Sequence, residues 1–82
     1  MAEHKLKIWP VYFADVRDDR KPFEVRWNDR DYEVGDVLRL REWNPLLREY
    51  TGRETRKFVT YKGTCFGIEP GYVVLGLKRG EA

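Results

Sequence analysis

Alternating hydrophobic and polar residues predict short β-strands along most of this chain. The alternation is clearest in residues 4–8, 23–28 and 37–43. Successive side chains of a strand point to opposite faces, so each stretch has one apolar and one polar face. Residues 54–62 and 72–77 are the other two predicted strands. The last is apolar almost throughout, which is typical of a strand buried on both sides.

The second strand carries the clearest alternation. Phe23, Val25 and Trp27 fall on one face and are assigned to the core. Glu24 and Arg26 are thereby predicted to lie on the opposite, polar face. Trp27 is accordingly interpreted as a core residue and not as a binding platform.

The third strand has a polar face of unusual composition. Leu38 and Leu40 point one way, whereas Arg39, Arg41 and Trp43 share the other face. Two guanidinium groups beside an indole can hold a single nucleic-acid strand by phosphate contact and stacking. The same residues can instead cover the wall of the sheet, with Trp43 packed under an arginine stem. The sequence leaves both interpretations open.

One short helix is predicted between the first two strands. Pro10 suits its first turn, where a missing N–H costs nothing. Tyr12, Phe13 and Val16 recur at helical spacing, and Asp18-Asp19 ends the helix. The order of one strand, one helix and four strands predicts an α+β, mostly β domain. Its expected architecture is a small five-stranded β-barrel with one short N-terminal helix.

Length and composition exclude several classes of protein. With 82 residues, the chain is expected to form a single domain spanning 1–82. It contains no Ser, one Cys and one His, so no serine triad, zinc site or disulfide framework is expected, and no metal or cofactor is predicted. No apolar run approaches the roughly 20 residues of a membrane span, and no signal peptide is recognised. A cytoplasmic, non-membrane and monomeric protein is therefore expected.

Charge is concentrated in the second half of the chain. The net charge is only +2, but residues 38–62 contain seven cationic side chains against three acidic ones. An excess of this kind favours an anionic partner.

Three charged residues near the second strand suggest a binding site. Lys21 and Arg26 would flank Glu24 on one polar face. An ammonium suits a phosphate, a guanidinium suits a phosphate or a base edge, and a carboxylate can accept from a base amine. The alternative is a surface ion-pair cluster, in which each exposed pair contributes about 0–1 kcal/mol. Three more polar residues are placed near this group: Lys7, Asn28 and Arg30.

The single histidine and the single cysteine are assigned structural roles. His4 precedes the apolar residues of the first strand and is expected to be packed or hydrogen-bonded. Cys65 lies between Thr64 and Phe66 and is expected to be a small buried residue.

The Lys21-x-x-Glu24-x-Arg26 pattern after a short helix is similar to the signature of ASCH domains, members of the PUA-like superfamily. The chain also resembles a small bacterial and phage ASCH-like family of unassigned function. The stretches that carry this resemblance are His4-x-Leu6-Lys7, Arg20-Lys21, Phe23-Glu24-Val25-Arg26, Asn28-Asp29-Arg30, Gly35-Asp36, Thr51-Gly52-Arg53 and Gly71-Tyr72-Val73-Val74-Leu75-Gly76.

The resemblance implies a PUA-like barrel with a cleft between helix and barrel, lined by the motif. It also implies an RNA or nucleotide ligand. Some ASCH members are enzymes, either amidohydrolases that act on modified nucleosides or ribonucleases. In the amidohydrolase branch, the lysine matching Lys21 works with a threonine, and Glu24 occupies that position here. That branch also has a helical insertion before the last strand, where this chain has only the short Lys62–Gly71 loop. Family members usually have a glycine before the Arg-Lys pair, whereas this chain has Asp19 at that position. These departures weaken the case for amidase activity and leave a binding cleft intact.

Three functions follow as hypotheses. The first is an RNA- or nucleotide-binding module that uses the cationic cleft. The second is a hydrolase acting on modified nucleosides or RNA, with Lys21 and Glu24 as candidate catalytic residues. The third is a protein-interaction domain that uses the outer wall of the barrel.

Overall fold

A computed structural model describes residues 2–80 and contains five strands and one helix. The mostly β architecture with one short helix is confirmed, and the helix begins at Pro10 as predicted. The elements, in chain order, are β1 (Glu3–Ile8), α1 (Pro10–Arg17), β2 (Phe23–Trp27), β3 (Val37–Asn44), β4 (Glu49–Gly63) and β5 (Tyr72–Arg79). The helix of the described part of the chain is too short and too polar to cross a membrane.

The five strands form one curled sheet in the order β1-β3-β4-β5-β2. β1 runs parallel to β3, and the other neighbouring pairs are antiparallel. The sequence predicted a barrel, whereas the backbone ladder forms a half-barrel with β1 and β2 as its two edges. A side chain crosses the gap between these edges, because Nη2 of Arg26 donates to the carbonyl oxygen of Lys7 at 2.7 Å. We call this gap the seam.

The core lies on the concave face of the sheet and under α1. Phe13 and Val16, three residues apart on one helix face, are both buried, and α1 packs against β3. The inward faces predicted for β1 and β3 are confirmed. The buried hydrophobic residues are Leu6, Ile8, Phe13, Val16, Tyr32, Leu38, Leu40, Val59, Val73, Leu75 and Leu77.

The hairpin between β3 and β4 is tighter than predicted. β4 begins at Glu49, and not at Glu54, because a four-residue turn follows Asn44 directly. Oδ1 of Asn44 accepts from the backbone N–H groups of Leu46 and Leu47 at 2.9 and 3.1 Å, which closes the turn. The expected start of this strand at residue 54 was therefore wrong.

β5 alternates and is not buried on both sides as expected. Val73, Leu75 and Leu77 are buried, whereas Tyr72 is exposed and Val74 is half-buried. One face of β5 therefore meets the core while the other lies on the outside of the half-barrel.

The loop before β5 contains a second correction. Cys65 is exposed, and so is the neighbouring Phe66. Neither residue packs in the core, and the expectation that Cys65 is buried was wrong.

His4 is hydrogen-bonded, as expected. Its Nε2 lies 2.8 Å from Oδ2 of the buried Asp36, and its ring meets Tyr32 edge-on with centroids 4.9 Å apart. Asp36 also accepts from the backbone N–H groups of Ala2 and Glu33 at 2.9 and 3.0 Å. These donors, with Ala2 the largest contributor, lower the pKa of Asp36 below its ordinary value. The carboxylate thereby ties β1 to the turn that begins β3.

A buried lysine connects β4 to the end of the helix. The sequence left the faces of this strand open, and the structure turns Lys57 inward, with 2% of its surface exposed. Its Nζ donates to the carbonyl oxygen of Arg17 at 3.1 Å and to Oδ1 of Asp19 at 2.6 Å. A buried ammonium is tolerated when it is paired in this way.

Asp19 occupies a backbone conformation that usually favours glycine. Its φ is 63°, a left-handed value that Asp and Asn adopt more readily than most residues. Its carboxylate accepts from Lys57 and from Arg79, and these bonds lower the pKa of Asp19. The glycine replacement noted in the sequence therefore supplies a carboxylate that joins α1, β4 and β5.

Candidate functional site

A cleft of about 540 Å³ lies at the seam, between β1, the start of α1 and β2. Its volume falls within the range of small-molecule sites, roughly 300–1,000 Å³. The charged residues in its lining are Lys7, Lys21, Glu24 and Arg26. These are four of the residues that the sequence proposed as a binding site.

The faces of β2 are inverted relative to the prediction. Glu24 is only 4% exposed and Arg26 is half-buried, whereas Trp27 is 57% exposed. Phe23 and Val25 are also exposed. The alternation is present, but the apolar residues face outward and the assignment of Trp27 to the core was wrong.

Pairing with β5 explains this inversion. Glu24 lies directly opposite Leu75, and Arg26 lies opposite Val73. Residues opposite each other in a ladder share a face of the sheet. Because Leu75 and Val73 are buried in the core, their partners on β2 must also point inward.

The inward turn brings both predicted cations to one carboxylate. Nε of Arg26 donates to Oε2 of Glu24 at 2.8 Å, and Nζ of Lys21 lies 3.6 Å from Oε1. Arg26 also donates to the carbonyl of Lys7 across the seam. The guanidinium is thus fixed from two sides, while its remaining N–H groups are available to a ligand.

Lys21 is positioned by the segment between α1 and β2. Its backbone N–H donates to the carbonyl of Asp15 at 2.9 Å, which folds the chain back against the helix. Its ammonium lies 4.4 Å from the ring centroid of Tyr12 and 5.4 Å from that of Phe23. An ammonium placed over aromatic faces is attracted by the rings and still has N–H donors to offer an anion.

Four aromatic residues complete the cleft, and the sequence assigned none of them to it. They are Trp9, Tyr12, Trp27 and Tyr72, and all four are exposed. Trp27 meets Tyr72 edge-on at 5.4 Å, and these two residues are direct partners in the β2–β5 ladder. The missing signal was strand pairing, which local alternation does not contain.

A glycine holds the Trp27 ring in place. A methyl group on Gly71 would overlap this ring, and Gly71 has a φ of 92° that also favours glycine. The carbonyl of Gly71 accepts from the N–H of Asn28 at 2.9 Å. The Gly71-Tyr72 segment therefore supports one wall of the cleft.

Asn28 and Arg30 do not join the cleft lining. β2 ends at Trp27, so the alternation that would have carried Asn28 toward Glu24 stops one residue earlier. Arg30 lies 3.5 Å from the carboxylate of Asp29 in the exposed connection to β3.

Arg39, Arg41 and Trp43 lie outside the cleft, on the outer face of β3. Nε of Arg39 donates to Glu54 at 3.1 Å, and the guanidinium of Arg41 lies 3.8 Å from the ring centroid of Tyr50. The ammonium of Lys7 lies over Trp43, 3.9 Å from the ring centroid.

Comparison with known proteins places the whole cleft within one family. Residues 3–77 match the family model described as "Domain of unknown function (DUF3850)". The chain belongs to this family. It is also similar to the "Uncharacterized 12.9 kDa protein in GpA 3'region" of Escherichia phage P2, with 39% identity over 78 residues. That match covers 95% of this chain and 70% of the phage protein. The DUF3850 match contains every cleft residue from Lys7 to Tyr72.

Proposed function

We propose that this DUF3850 protein binds RNA or a nucleotide in the seam cleft, and that its half-barrel is PUA-like and of the ASCH type. The observation that carries the proposal is the convergence of Lys21 and Arg26 on one buried carboxylate, Glu24, beside exposed indole rings. Two cations and one carboxylate leave this part of the cleft with a net positive charge. An anionic ligand with planar groups matches both the cations and the indole rings.

The cations would hold phosphate. Arg26 is oriented by Glu24 and by the carbonyl of Lys7, so little side-chain freedom remains to be lost when it meets an anion. Lys21 supplies a second donor group from the opposite side of Glu24. Together they form a two-sided contact for one phosphate.

The aromatic residues would hold a base. Trp9 and Trp27 expose more than half of their surface in a lining that also contains Tyr12. Stacking of a base on such a ring contributes about 1–3 kcal/mol and requires an unpaired base. The cleft therefore favours single-stranded RNA or a free nucleotide over a duplex.

Glu24 would both position the cations and read the base. Oε2 is engaged by Arg26, whereas Lys21 lies beyond hydrogen-bonding distance of Oε1. A carboxylate has about four acceptor positions, so Glu24 can accept from an exocyclic base amine without releasing Arg26. Cytosine N4 is one such donor.

The test is a titration of labelled single-stranded RNA of about eight nucleotides, a length typical of such sites. Lys21→Ala should weaken binding roughly ten- to hundredfold, because a charge-assisted contact contributes about 1.5–3 kcal/mol. Raising salt from about 50 to 200 mM should also weaken it, since bound phosphates release counterions. Lys62→Ala removes an exposed cation outside the cleft and is the matched control. An RNA affinity that changes neither with salt concentration nor with Lys21→Ala would contradict the proposal.

A second candidate function is hydrolysis of a modified nucleoside or of RNA. The pairing of the Lys21 amine with the Glu24 carboxylate in an open cleft favours it, since such a pair can supply a base and an acid. A panel of acylated nucleosides and RNA oligomers tests this function. Turnover abolished by both Lys21→Ala and Glu24→Ala would support it, and binding without turnover would exclude it for that panel. Capture of protein without nucleic acid would instead favour the interaction-domain hypothesis.

A further inference from the structure

The geometry points to a binding track that continues from the cleft onto the outer face of β3, where Arg41 and Arg39 contact the phosphates of a longer single-stranded RNA. This inference rests on the proposed function and extends it from one nucleotide to several. The track is defined by Lys7, Arg39, Arg41, Trp43 and Tyr50.

Lys7 is the residue that connects the two surfaces. It lines the cleft, and its carbonyl accepts from Arg26 across the seam. The Lys7 side chain, however, lies on the outer face of the sheet, with its ammonium 3.9 Å from the ring centroid of Trp43. Lys7 and Arg41 are direct partners in the parallel β1–β3 ladder, so their Cα atoms lie about 4.8 Å apart. A strand leaving the cleft past Lys7 therefore meets Arg41 next.

The cations of the track are held in place before any ligand binds. Arg41 lies over Tyr50 at 3.8 Å, and Lys7 lies over Trp43. The two rings support each other edge-on, with centroids 4.9 Å apart. Because these rings already carry a cation, the track is suited to phosphate contact and not to base stacking. Cations ordered in advance lose less freedom on binding.

The outer face around the track is positively charged. Ladder pairing places five cations and two carboxylates on it: Lys5, Lys7, Arg39, Arg41, Arg56, Glu3 and Glu54. Glu54 lies 3.1 Å from Arg39 and 3.9 Å from Arg41, and Glu3 lies 2.8 Å from Arg56. Exposed pairs of this kind contribute only about 0–1 kcal/mol each, so a phosphate can displace the Glu54 carboxylate from the two arginines.

The experiment compares oligocytidylates of about two and about twelve nucleotides, one shorter than a typical single-strand site and one within its range, by fluorescence anisotropy. The longer oligomer should bind at least tenfold more tightly. The Arg39→Gln/Arg41→Gln double variant, which removes both charges and keeps part of each aliphatic stem, should remove this gain and leave the dinucleotide affinity unchanged. For binding of the long oligomer by this variant, the slope of the logarithm of the binding constant against the logarithm of salt concentration should be shallower by about 1.4. This is about 0.7 for each lost phosphate contact.

Two further variants sharpen the result. Lys62→Ala/Lys78→Ala removes the same number of positive charges from exposed positions outside the track and should keep the length-dependent gain. Glu54→Gln frees both arginines and should tighten binding of the long oligomer severalfold without affecting the dinucleotide. Circular dichroism and thermal melts verify that each variant is folded.

The outcomes separate the track from the cleft. Equal affinity for short and long oligomers would overturn the track while leaving the cleft proposal standing. An equal loss in the Lys62/Lys78 control would also overturn it, because the effect would then be one of net charge. If neither oligomer binds, the proposed function fails and the track fails with it. Displacement of the long oligomer by polyglutamate at equal charge concentration would overturn the track in favour of an acidic peptide.

Discussion

Two glutamates point inward from this sheet, and their surroundings differ. Glu42 on β3 is 1% exposed and accepts from Nε and Nη2 of Arg53 at 2.8 and 2.7 Å and from the hydroxyl of Thr51 at 2.7 Å. Glu24 on β2 is also buried, at 4% exposed, but has only one hydrogen bond, from Arg26, with the Lys21 ammonium 3.6 Å away. The first carboxylate is fully used within the protein, whereas the second retains acceptor positions that face a cleft.

The difference follows from the position of each strand in the sheet. β3 lies between β1 and β4, so partners for Glu42 come from the adjoining β4. β2 is an edge strand, and beyond its free edge is the seam instead of another strand. The inward carboxylate on this edge strand is stabilised by cations from its own segment and borders the cleft. Glu42 therefore serves stability, and we propose that Glu24 serves ligand binding.

The largest expected effect separates these two roles. Glu42→Ala removes three hydrogen bonds to a charged group and should lower the free energy of unfolding by about 2–3 kcal/mol. Glu24→Ala should cost less stability and should weaken RNA binding by misplacing Arg26. Urea unfolding and anisotropy titration of both variants measure the two effects. If both variants lose stability and binding to the same extent, the two glutamates do not have different roles.

A glycine pair tests the open side of the cleft with a smaller effect. Gly71→Ala and Gly67→Ala both place a side chain at a φ above 90°, which should cost about 1–2 kcal/mol each. At Gly67 a methyl group meets open space, whereas at Gly71 it would displace the Trp27 ring. Only Gly71→Ala should therefore change tryptophan fluorescence and weaken RNA binding severalfold. The same binding loss in Gly67→Ala would contradict a role for Trp27.

Acid stability provides the smallest and most selective contrast. The hydrogen bonds from Arg53, followed by that from Thr51, lower the pKa of Glu42 below its ordinary value of 4.5. A carboxylate with a lowered folded-state pKa stabilises the protein fully above its unfolded-state pKa, and this stabilisation is lost as the pH falls through the folded-state value. Stability should thus decline below about pH 4.5, and Glu42→Gln should flatten that decline. Melting temperatures between neutral and acidic pH measure it. An unchanged slope in Glu42→Gln would assign the decline to other carboxylates, such as Asp36.

Much of the fold could be predicted because it depends on local patterns. The helix start at Pro10, the inward faces of β1 and β3, and the strand order along the chain all follow from spacing and turn residues. The hairpin turn was missed because the side chain of Asn44 closes it, a contact that hydrophobic periodicity does not reveal. The burial of Lys57 was missed because its partners, Arg17 and Asp19, lie far away in the sequence.

The candidate site was predicted in part. Lys21, Glu24 and Arg26 occupy one short segment, so their proximity follows from their spacing on a strand. The aromatic wall formed by Trp27 and Tyr72 depends on the pairing of β2 with β5, two strands that are distant in the chain. Local alternation contains no information about that pairing.

The sequence by itself determined the periodicity of each strand, the single helix and the grouping of two cations with one carboxylate. Only the tertiary structure decided that this group faces inward, while Trp27 faces outward. Alternation fixes the relation between neighbouring side chains, but either face of a strand can turn toward the core. Pairing with Leu75 and Val73 settled the orientation of β2, because their burial outweighs the preference of this edge strand. The same pairing left charged side chains at an open seam, where we propose that they bind a ligand.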